Sequence, residues 1–256
     1  MAQSGLPDYL LDPNAVLKDQ VKWRYDKVPD YTRLRADYEL DKKVEHKPGT
    51  LSFYVNNLVK NWEIEASYKI DGREWRTIDP DLYKFKSNDG PWLSVDEMLK
   101  LGTYNAVIGE SEYYSSENSN FTVSHKTFKR AIRSFGWEVL EVYSELPTVV
   151  FTWRHFGVFH GAYKAYNRDG NQIESQPTNE LLDITGMGIA HMTPDLRIAS
   201  IHVYRPVVLS IYDPAELFRQ MTKNGISIVG KLPDSMRPQK STSTTMGGKC
   251  PMLGKL

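Results

Sequence analysis

The sequence predicts one α+β domain in which a curved antiparallel sheet wraps around about three helices. Helical periodicity dominates residues 50–136, and a run of strand-like segments follows from 137 to 204. Such separation of helices from strands along the chain is typical of the α+β class. We therefore expect a gap between the helices and the sheet that acts as a pocket.

Composition indicates a globular intracellular protein. The 256 residues include 32 basic and 32 acidic side chains, so the formal net charge is zero. That balance disfavours nucleic acid or an anionic membrane surface as a partner. The N-terminal segment lacks the features of a secretory signal, and no apolar run is long enough to span a membrane. The single cysteine, Cys250, excludes an intrachain disulfide and a C-x-x-C motif, and we expect a cytoplasmic location.

The chain divides into three parts by composition. Residues 1–49 are polar and interrupted by proline, and we interpret them as an N-terminal arm with a few apolar anchors. Residues 50–223 carry the periodic segments and form the predicted domain. Residues 224–256 are polar and small, which indicates a flexible C-terminal tail.

Three helices are predicted ahead of the strands. Thr50 is a good N-cap for the first, whose apolar face has helical spacing and consists of Leu51, Val55, Leu58 and Trp62. Ser94 and Glu97 form a capping box that opens the second, and Gly102 closes it. Ser124 is the expected cap of the third, which would end at Gly136.

The centre of the sheet is predicted from two aromatic and β-branched segments, Trp137–Tyr143 and Thr148–Phe159. Gly157 and Gly161 are expected to mark a bulge or bend. Residues 167–170 read NRDG, a hairpin signal, and strands follow at about 180–192 and 197–204. Asp213 is then expected to cap a last helix.

Six segments within or next to residues 50–223 form an ordered series. They are NWEIEASYK (61–69), LGTYNAVIG (101–109), VSHKTFKRA (123–131), WEVLEVYS (137–144), FTWRHFGVFHG (151–161) and IYDPAELF (211–218). This series resembles the pathogen-related proteins of plants and fungi, which are grouped with the SnoaL-like proteins of the nuclear-transport-factor-two-like fold. The resemblance implies a cone-shaped α+β barrel whose mouth admits apolar small molecules.

The same resemblance implies chemistry without a metal or organic cofactor. SnoaL-like relatives include cyclases, isomerases, dehydratases and cycloaddition catalysts that use a His, Asp or Tyr inside the cone, whereas pathogen-related members have no agreed reaction. This chain departs from the family pattern, since Tyr68 stands where His is usual and Phe156 where Trp is usual. Residues 205–210 also form a short insertion. We therefore carry over no detailed site.

Four side chains are candidates for catalysis. His155 shares a strand face with Trp153, and an imidazole in an apolar pocket suits proton transfer near neutral pH. His202 and Tyr204 share a face of the last strand and could donate hydrogen bonds to a developing oxyanion. Asp183 could be a base whose pKa is raised by burial. Each candidate also has a purely structural interpretation. His155 can be a structural histidine, His202 and Tyr204 can be a hydrogen-bonded interior pair, and Asp183 can lie in solvent at the end of its strand.

Six further residues are candidate substrate contacts. Aromatic side chains would form apolar walls, and His191 lies on the same strand face as Asp183. The six are Tyr54, Trp62, Tyr104, Phe151, Trp153 and His191. At helical and strand spacing, such aromatic residues are more often plain core.

These observations favour a cofactor-independent isomerase or cyclase acting on an apolar natural-product intermediate, or a cycloaddition catalyst. The main alternative is a non-catalytic binding protein for a hydrophobic small molecule in a stress or pathogen response. A third is a structural partner protein that forms a homodimer through the outer sheet face. No phosphate-binding loop, H-E-x-x-H motif or G-x-S-x-G motif is present.

Overall fold

The computed structural model describes residues 5–204 and 216–233. Its α-helices are α1 (Asp8–Leu11), α2 (Thr32–Asp41), α3 (Leu51–Tyr68), α4 (Val95–Leu101), α5 (Thr103–Val107), α6 (Phe121–Ala131) and α7 (Glu216–Thr222). Its strands are β1 (Lys84–Ser87), β2 (Ile132–Val142), β3 (Thr148–Phe159), β4 (Tyr163–Tyr166), β5 (Asn171–Ser175), β6 (Leu181–Met192), β7 (Ile198–Tyr204) and β8 (Ser227–Lys231).

Five strands form the main sheet in the order β1-β7-β6-β3-β2, and β4-β5-β8 form a second sheet. Every pairing in the main sheet is antiparallel except the one between β1 and β7. Helix α3 packs against the main sheet, and its side chains join those of the strands in one hydrophobic core. The predicted α+β class, with a curved antiparallel sheet and helices packed on it, is confirmed.

Helix α3 begins as its sequence predicts. The hydroxyl of Thr50 accepts a hydrogen bond from the backbone N–H of Phe53, which satisfies one of the free donors of the first turn. Three of the four apolar residues at helical spacing, Val55, Leu58 and Trp62, are buried, and Leu51 is partly buried. The capping box of Ser94 and Glu97 at the start of α4 is also present.

The prediction for α6 is wrong at both ends. Asn120, not Ser124, caps the helix by accepting from the N–H of Val123. Ser124 lies one turn inside, where its hydroxyl donates to the carbonyl of Phe121. The helix stops at Ala131 because the next residues belong to β2, where antiparallel pairing with β3 outweighs their apolar helical spacing.

Curvature of the main sheet comes from β2 rather than from the glycines of β3. The register between β2 and β3 shifts between Arg133 and Gly136 and again between Val139 and Glu141. Gly157 lies opposite the first shift, where a Cβ atom would come within 2.7 Å of the Arg133 carbonyl oxygen. The bulge is thus in β2, and Gly157 allows the bulged strand to approach closely.

The segment expected as an N-terminal arm is part of the core from residue 5 onward. Its buried apolar side chains are Tyr9, Leu10, Val16, Trp23, Tyr31 and Tyr38. Asn61 of α3 holds the segment by donating to the backbone carbonyls of Tyr9 and Asp12 and accepting from the N–H of Val16. These contacts make residues 5–49 a layer over α3 rather than a loose arm.

The C-terminal part also differs from the expectation. Residues 227–231 of the predicted flexible tail form β8, which pairs with β5. The expected N-cap Asp213 and residues 234–256 lie outside the described residues. The NRDG hairpin signal does join two strands, β4 and β5, as predicted.

Candidate ligand-binding site

An apolar cavity of about 240 Å³ lies between α3, the main sheet and the N-terminal segment. Five structural elements contribute to it. Its walls include Leu6, Leu10, Tyr54, Leu58, Phe151 and Ile201. We refer to this space as the apolar cavity.

The wall from α3 follows from its sequence periodicity. Leu51, Tyr54, Val55, Leu58 and Val59 recur at spacings of three, one, three and one residues, which places them along one helical face. The opposite wall comes from alternate residues of the strands, and Val149 and Phe151 of β3 are examples. Secondary structure therefore supplies an apolar lining from both sides.

The apolar cavity opens to solvent near the β2–β3 connection. Leu146 in that connection is 46% exposed although it lines the cavity. Leu6, Leu51, Tyr54 and Leu196 are partly exposed and complete this rim. A small molecule can reach the lining from this side.

Two of the six predicted substrate contacts, Tyr54 and Phe151, line the apolar cavity. The other aromatic candidates pack in the hydrophobic core, which was the alternative to substrate binding. The indole N–H of Trp62 donates to the Tyr83 hydroxyl at 3.0 Å. The ring of Tyr104 stacks on Phe128 with centroids 4.6 Å apart.

Trp153 lies on the same face of β3 as Phe151 but deeper in the core, and it is 2% exposed. Gly186 on β6 lies opposite, and a Cβ atom there would come within 2.1 Å of the indole ring. The indole N–H is buried and has no hydrogen-bond partner among the residues that the structure describes. Trp153 is thus a core residue with one unused donor.

His155 is held in an aromatic stack and does not line the apolar cavity. Its ring lies 3.4 Å from that of Phe135 and 4.5 Å from that of Trp137, nearly parallel to both. Burial, together with the positive charge of Lys129, holds the pKa of His155 well below its usual range. The side chain is therefore neutral at physiological pH.

Asp183 lies on the outer face of the sheet, where it binds two cations. Arg154 Nε and Lys43 Nζ are 2.8 Å and 2.7 Å from its carboxylate oxygens. Burial would raise the pKa of Asp183, but the hydrogen bonds from Arg154 and Lys43 outweigh that effect and lower it. The expectation of a base with a raised pKa is therefore wrong.

The remaining candidates also lie on the outer face. His202 and Tyr204 pair in register with Ile189 and Met187, on the face opposite to the cavity-lining Ala190 and Ile201. His202 Nε2 is 2.8 Å from the carbonyl oxygen of Asn88, and its ring lies 3.8 Å from that of Tyr204.

His191 is on the same face, exposed, with Nδ1 2.9 Å from the Thr148 hydroxyl. These placements correct the expectation that the three side chains face the pocket. A homodimer through this outer face stays a prediction.

Sequence reasoning missed the contribution of the N-terminal segment. Leu6 and Leu10 form part of the cavity wall, and the backbone carbonyl of Leu10 accepts from the side chain of Asn57 on α3. The available signal was the apolar pair Leu10-Leu11 within a polar stretch. Its position over α3 depends on contacts between residues far apart in the sequence.

A second cavity adjoins the first and has a different character. It has a volume of about 370 Å³, and Leu51 belongs to the walls of both. Its lining consists of Thr50, Leu51, Ser52, Val142, Tyr143, Ser144 and Glu145. We refer to this space as the polar recess. It lies between the start of α3 and the β2–β3 connection, beside the mouth of the apolar cavity.

Two further properties concern metals and membranes. Within residues 5–204 and 216–233, no three or more His, Cys, Asp or Glu side chains come together as a metal site. In the same residues, no helix has the length and apolar character needed to cross a bilayer.

Comparison with curated proteins supports the resemblance noted from the six segments. The chain is similar to the pathogen-related protein of barley, Hordeum vulgare. The two are 28% identical over 160 residues, which cover 59% of this chain and 68% of the barley protein. No protein-family model matches the chain.

Solved structures show more distant likenesses. One is described as a SnoaL-like polyketide cyclase from Jannaschia, 11% identical with a TM-score of 0.34, covering 62% of this chain and 89% of that one. Another is described as a polyketide cyclase from Acidithiobacillus ferrooxidans, 12% identical with a TM-score of 0.35, covering 69% and 97%. TM-scores this low carry no argument about function.

The chemistry that the apolar cavity offers is limited. Among residues 5–204 and 216–233, no charged side chain lines it, and Tyr54 is the one lining residue with a polar group. The apolar cavity can therefore exclude water and hold a molecule in a fixed shape. It does not bring together a general acid and a general base.

Proposed function

We propose that this protein binds a compact apolar small molecule in the apolar cavity. The observation that carries the proposal is an apolar lining open to solvent on one side, in a volume of about 240 Å³. Dry apolar cavities of about 150 Å³ already bind benzene, so this volume suits a somewhat larger molecule. The similarity to the barley pathogen-related protein agrees with the alternative of a ligand-binding role in a stress or pathogen response.

The expected affinity is weak. Transfer of about 200 Å² of apolar ligand surface from water is worth roughly 5 kcal/mol. The loss of translational and rotational freedom offsets part of that gain. Since about 5 kcal/mol alone corresponds to a dissociation constant of about 0.2 mM, we expect a value in the millimolar range.

Catalysis by isomerisation or cyclisation is the second candidate function. It is supported by the apolar lining, which could hold a flexible substrate in a reactive shape without an acid–base pair. Product formation by the wild type that Ala190→Leu abolishes would support this candidate.

Filling the apolar cavity tests the binding proposal. Ala190 lines it and is 5% exposed, so Ala190→Leu adds atoms to the ligand's space. We expect at least a tenfold weaker affinity for apolar probes such as cyclohexanol, measured by isothermal titration calorimetry. Ala36→Leu on the exposed surface of α2 is the matched control. Equal binding by wild type, Ala190→Leu and Ala36→Leu would contradict the proposal, provided that circular dichroism shows all three folded.

A further inference from the structure

The polar recess beside the apolar cavity has two polar groups that form no hydrogen bond or ion pair with the described residues. The carboxylate of Glu145 and the hydroxyl of Tyr143 have no hydrogen bond or ion pair within the described part of the chain, and both side chains are exposed. Exposed side chains commonly lack a partner in the protein. The two groups are informative because of where they lie. Both groups lie in the recess that shares Leu51 with the apolar cavity.

The hydroxyl groups of Thr50, Ser52 and Ser144 in the polar recess already have partners, and the partner of Ser52 is the Thr50 hydroxyl, 3.1 Å away. The Thr50 hydroxyl donates to the carbonyl of Lys47 and accepts from the N–H of Phe53. The Ser144 hydroxyl donates to the carbonyl of Thr148 and accepts from the N–H of Val150. A molecule that enters the polar recess therefore meets mainly Glu145 and Tyr143.

We infer that the ligand is an amphipathic molecule, with an aliphatic body in the apolar cavity and a hydrogen-bond-donating head group, a hydroxyl or an ammonium, in the polar recess. This inference rests on the proposed binding function and adds the chemical class of the ligand. The connection between β2 and β3 places the two environments side by side. Leu146 of that connection lines the apolar cavity, and Ser144 and Glu145 line the polar recess.

Charge decides which head group is favoured. An ionised carboxylate accepts hydrogen bonds and cannot donate them, so Glu145 selects a donor and disfavours a second carboxylate. The start of α3 has the opposite preference, since a helix N-terminus carries roughly half a positive charge. The full negative charge of Glu145 exceeds that partial charge, and the Thr50 cap already uses one of the free N–H groups.

Four eight-carbon ligands of similar length test the inference: 1-octanol, octylamine, octanoate and heptyl methyl ether. Affinities for the full-length wild-type protein are measured by isothermal titration calorimetry at low ionic strength. We expect 1-octanol and octylamine to bind about fivefold more tightly than the ether, which only accepts hydrogen bonds, and octanoate to bind most weakly.

A substitution that removes the charge of Glu145 tests whether this side chain causes the preference among the four head groups. Glu145→Gln should bring octanoate to within about twofold of 1-octanol and remove the advantage of octylamine over the ether. Glu141→Gln is the matched control, because Glu141 is an exposed residue of β2 outside the lining of the recess. It should leave the order of the four ligands unchanged.

Failure of this inference can be told apart from failure of the binding proposal. If none of the four ligands binds, the proposed function fails. If all four bind equally, or octanoate binds best to the wild type, the apolar cavity binds ligand but the head-group inference is overturned. An unchanged order of affinities in Glu145→Gln would overturn it as well.

Discussion

Lys69 Nζ lies 2.8 Å from Glu65 Oε1, one helical turn away, and neither side chain is exposed to solvent. The same ammonium binds the Asp19 carboxylate at 2.6 Å and the carbonyl oxygen of Glu74 at 2.6 Å. Glu65 also accepts from the backbone N–H groups of Arg76 and Thr77. This buried pair joins the N-terminal segment, α3 and the loop that follows it.

Lys69→Met should destabilise the protein strongly. It leaves the buried Glu65 without its cation, whereas Asp19 keeps its ion pair with Arg76. Breaking a buried pair costs about 3–5 kcal/mol. Urea unfolding followed by tryptophan fluorescence gives the free energy of unfolding. Lys18→Met is the control, since Lys18 is 72% exposed and its bond to Asp12 should contribute little to stability. Equal effects of the two substitutions would contradict this account of the pair.

Acid should destabilise the protein through His125. Burial, aided by the positive charges of Lys129 and Arg24, lowers the pKa of His125 from 6.5 to about 3. Between these values the unfolded chain binds the proton and the folded chain does not, so stability falls as the pH is lowered from 6.5 towards 3. The change is at most about 1.4 kcal/mol per pH unit.

His125→Gln should remove this contribution. The difference in unfolding free energy between wild type and variant is measured at several pH values from 4 to 7, which separates His125 from the carboxylates that titrate in both proteins. We expect the difference to shrink or change sign towards low pH. A difference that stays constant over the range would exclude His125 as the source.

Lys60 should produce a second pH dependence at the alkaline side. Burial, with a further contribution from the positive charge of Arg35, lowers the pKa of Lys60 from 10.5 to about 7. Its ammonium lies 3.5 Å from the centre of the Tyr38 ring, and the negative charges of Glu39 and Glu138 offset only part of the lowering. Between pH 7 and 10.5, Lys60 is protonated in the unfolded chain but has lost its proton in the folded chain. The free energy of unfolding therefore increases with pH over this range.

Lys60→Met should flatten this increase. Urea unfolding at pH 7, 8 and 9 would then show a smaller gain for the variant than for the wild type, and the variant should be at least as stable at pH 7. Lys126→Met, a substitution at an exposed residue of α6, serves as the control. Parallel pH profiles for wild type and Lys60→Met would contradict the lowered pKa.

Gly188→Ala should change the apolar cavity through Phe151. A Cβ atom at residue 188 would come within 2.6 Å of the Phe151 ring, which lines the cavity. The ring must move, at a cost of about 1–3 kcal/mol in stability. We expect weaker binding of apolar probes by calorimetry.

Gly109→Ala is the matched control for this substitution, because a Cβ atom there has no heavy atom within 4 Å. It should affect neither stability nor binding. If Gly188→Ala bound the probes as tightly as the control, Phe151 would not set the shape of the cavity.

Local patterns in the sequence predict the elements of this fold better than the roles of its side chains. The strand Thr148–Phe159 has the predicted bounds, since its residues strongly favour β structure and Pro147 precedes it. Alternation also predicts correctly that His202 and Tyr204 share a face. It does not predict which face meets α3, because that depends on the packing of distant elements.

Dependence on the packing of distant elements also explains why only some of the candidate site residues were predicted correctly. Tyr54 and Phe151 belong to apolar patterns that point to the helix–sheet interface, and they line the apolar cavity. Asp183 has no sequence neighbour that reveals its cations, since Lys43 and Arg154 are 140 and 29 residues away. Its environment was therefore not accessible from local sequence.

The wall formed by Leu6 and Leu10 has a practical consequence for fragments of this protein. A fragment that starts at residue 50, where the helical periodicity begins, would keep every strand of the main sheet but lose one side of the cavity. Proteolysis before Thr50 would therefore remove a wall of the cavity together with buried core side chains such as Trp23 and Tyr31. A trimmed preparation would give a false negative in every binding assay.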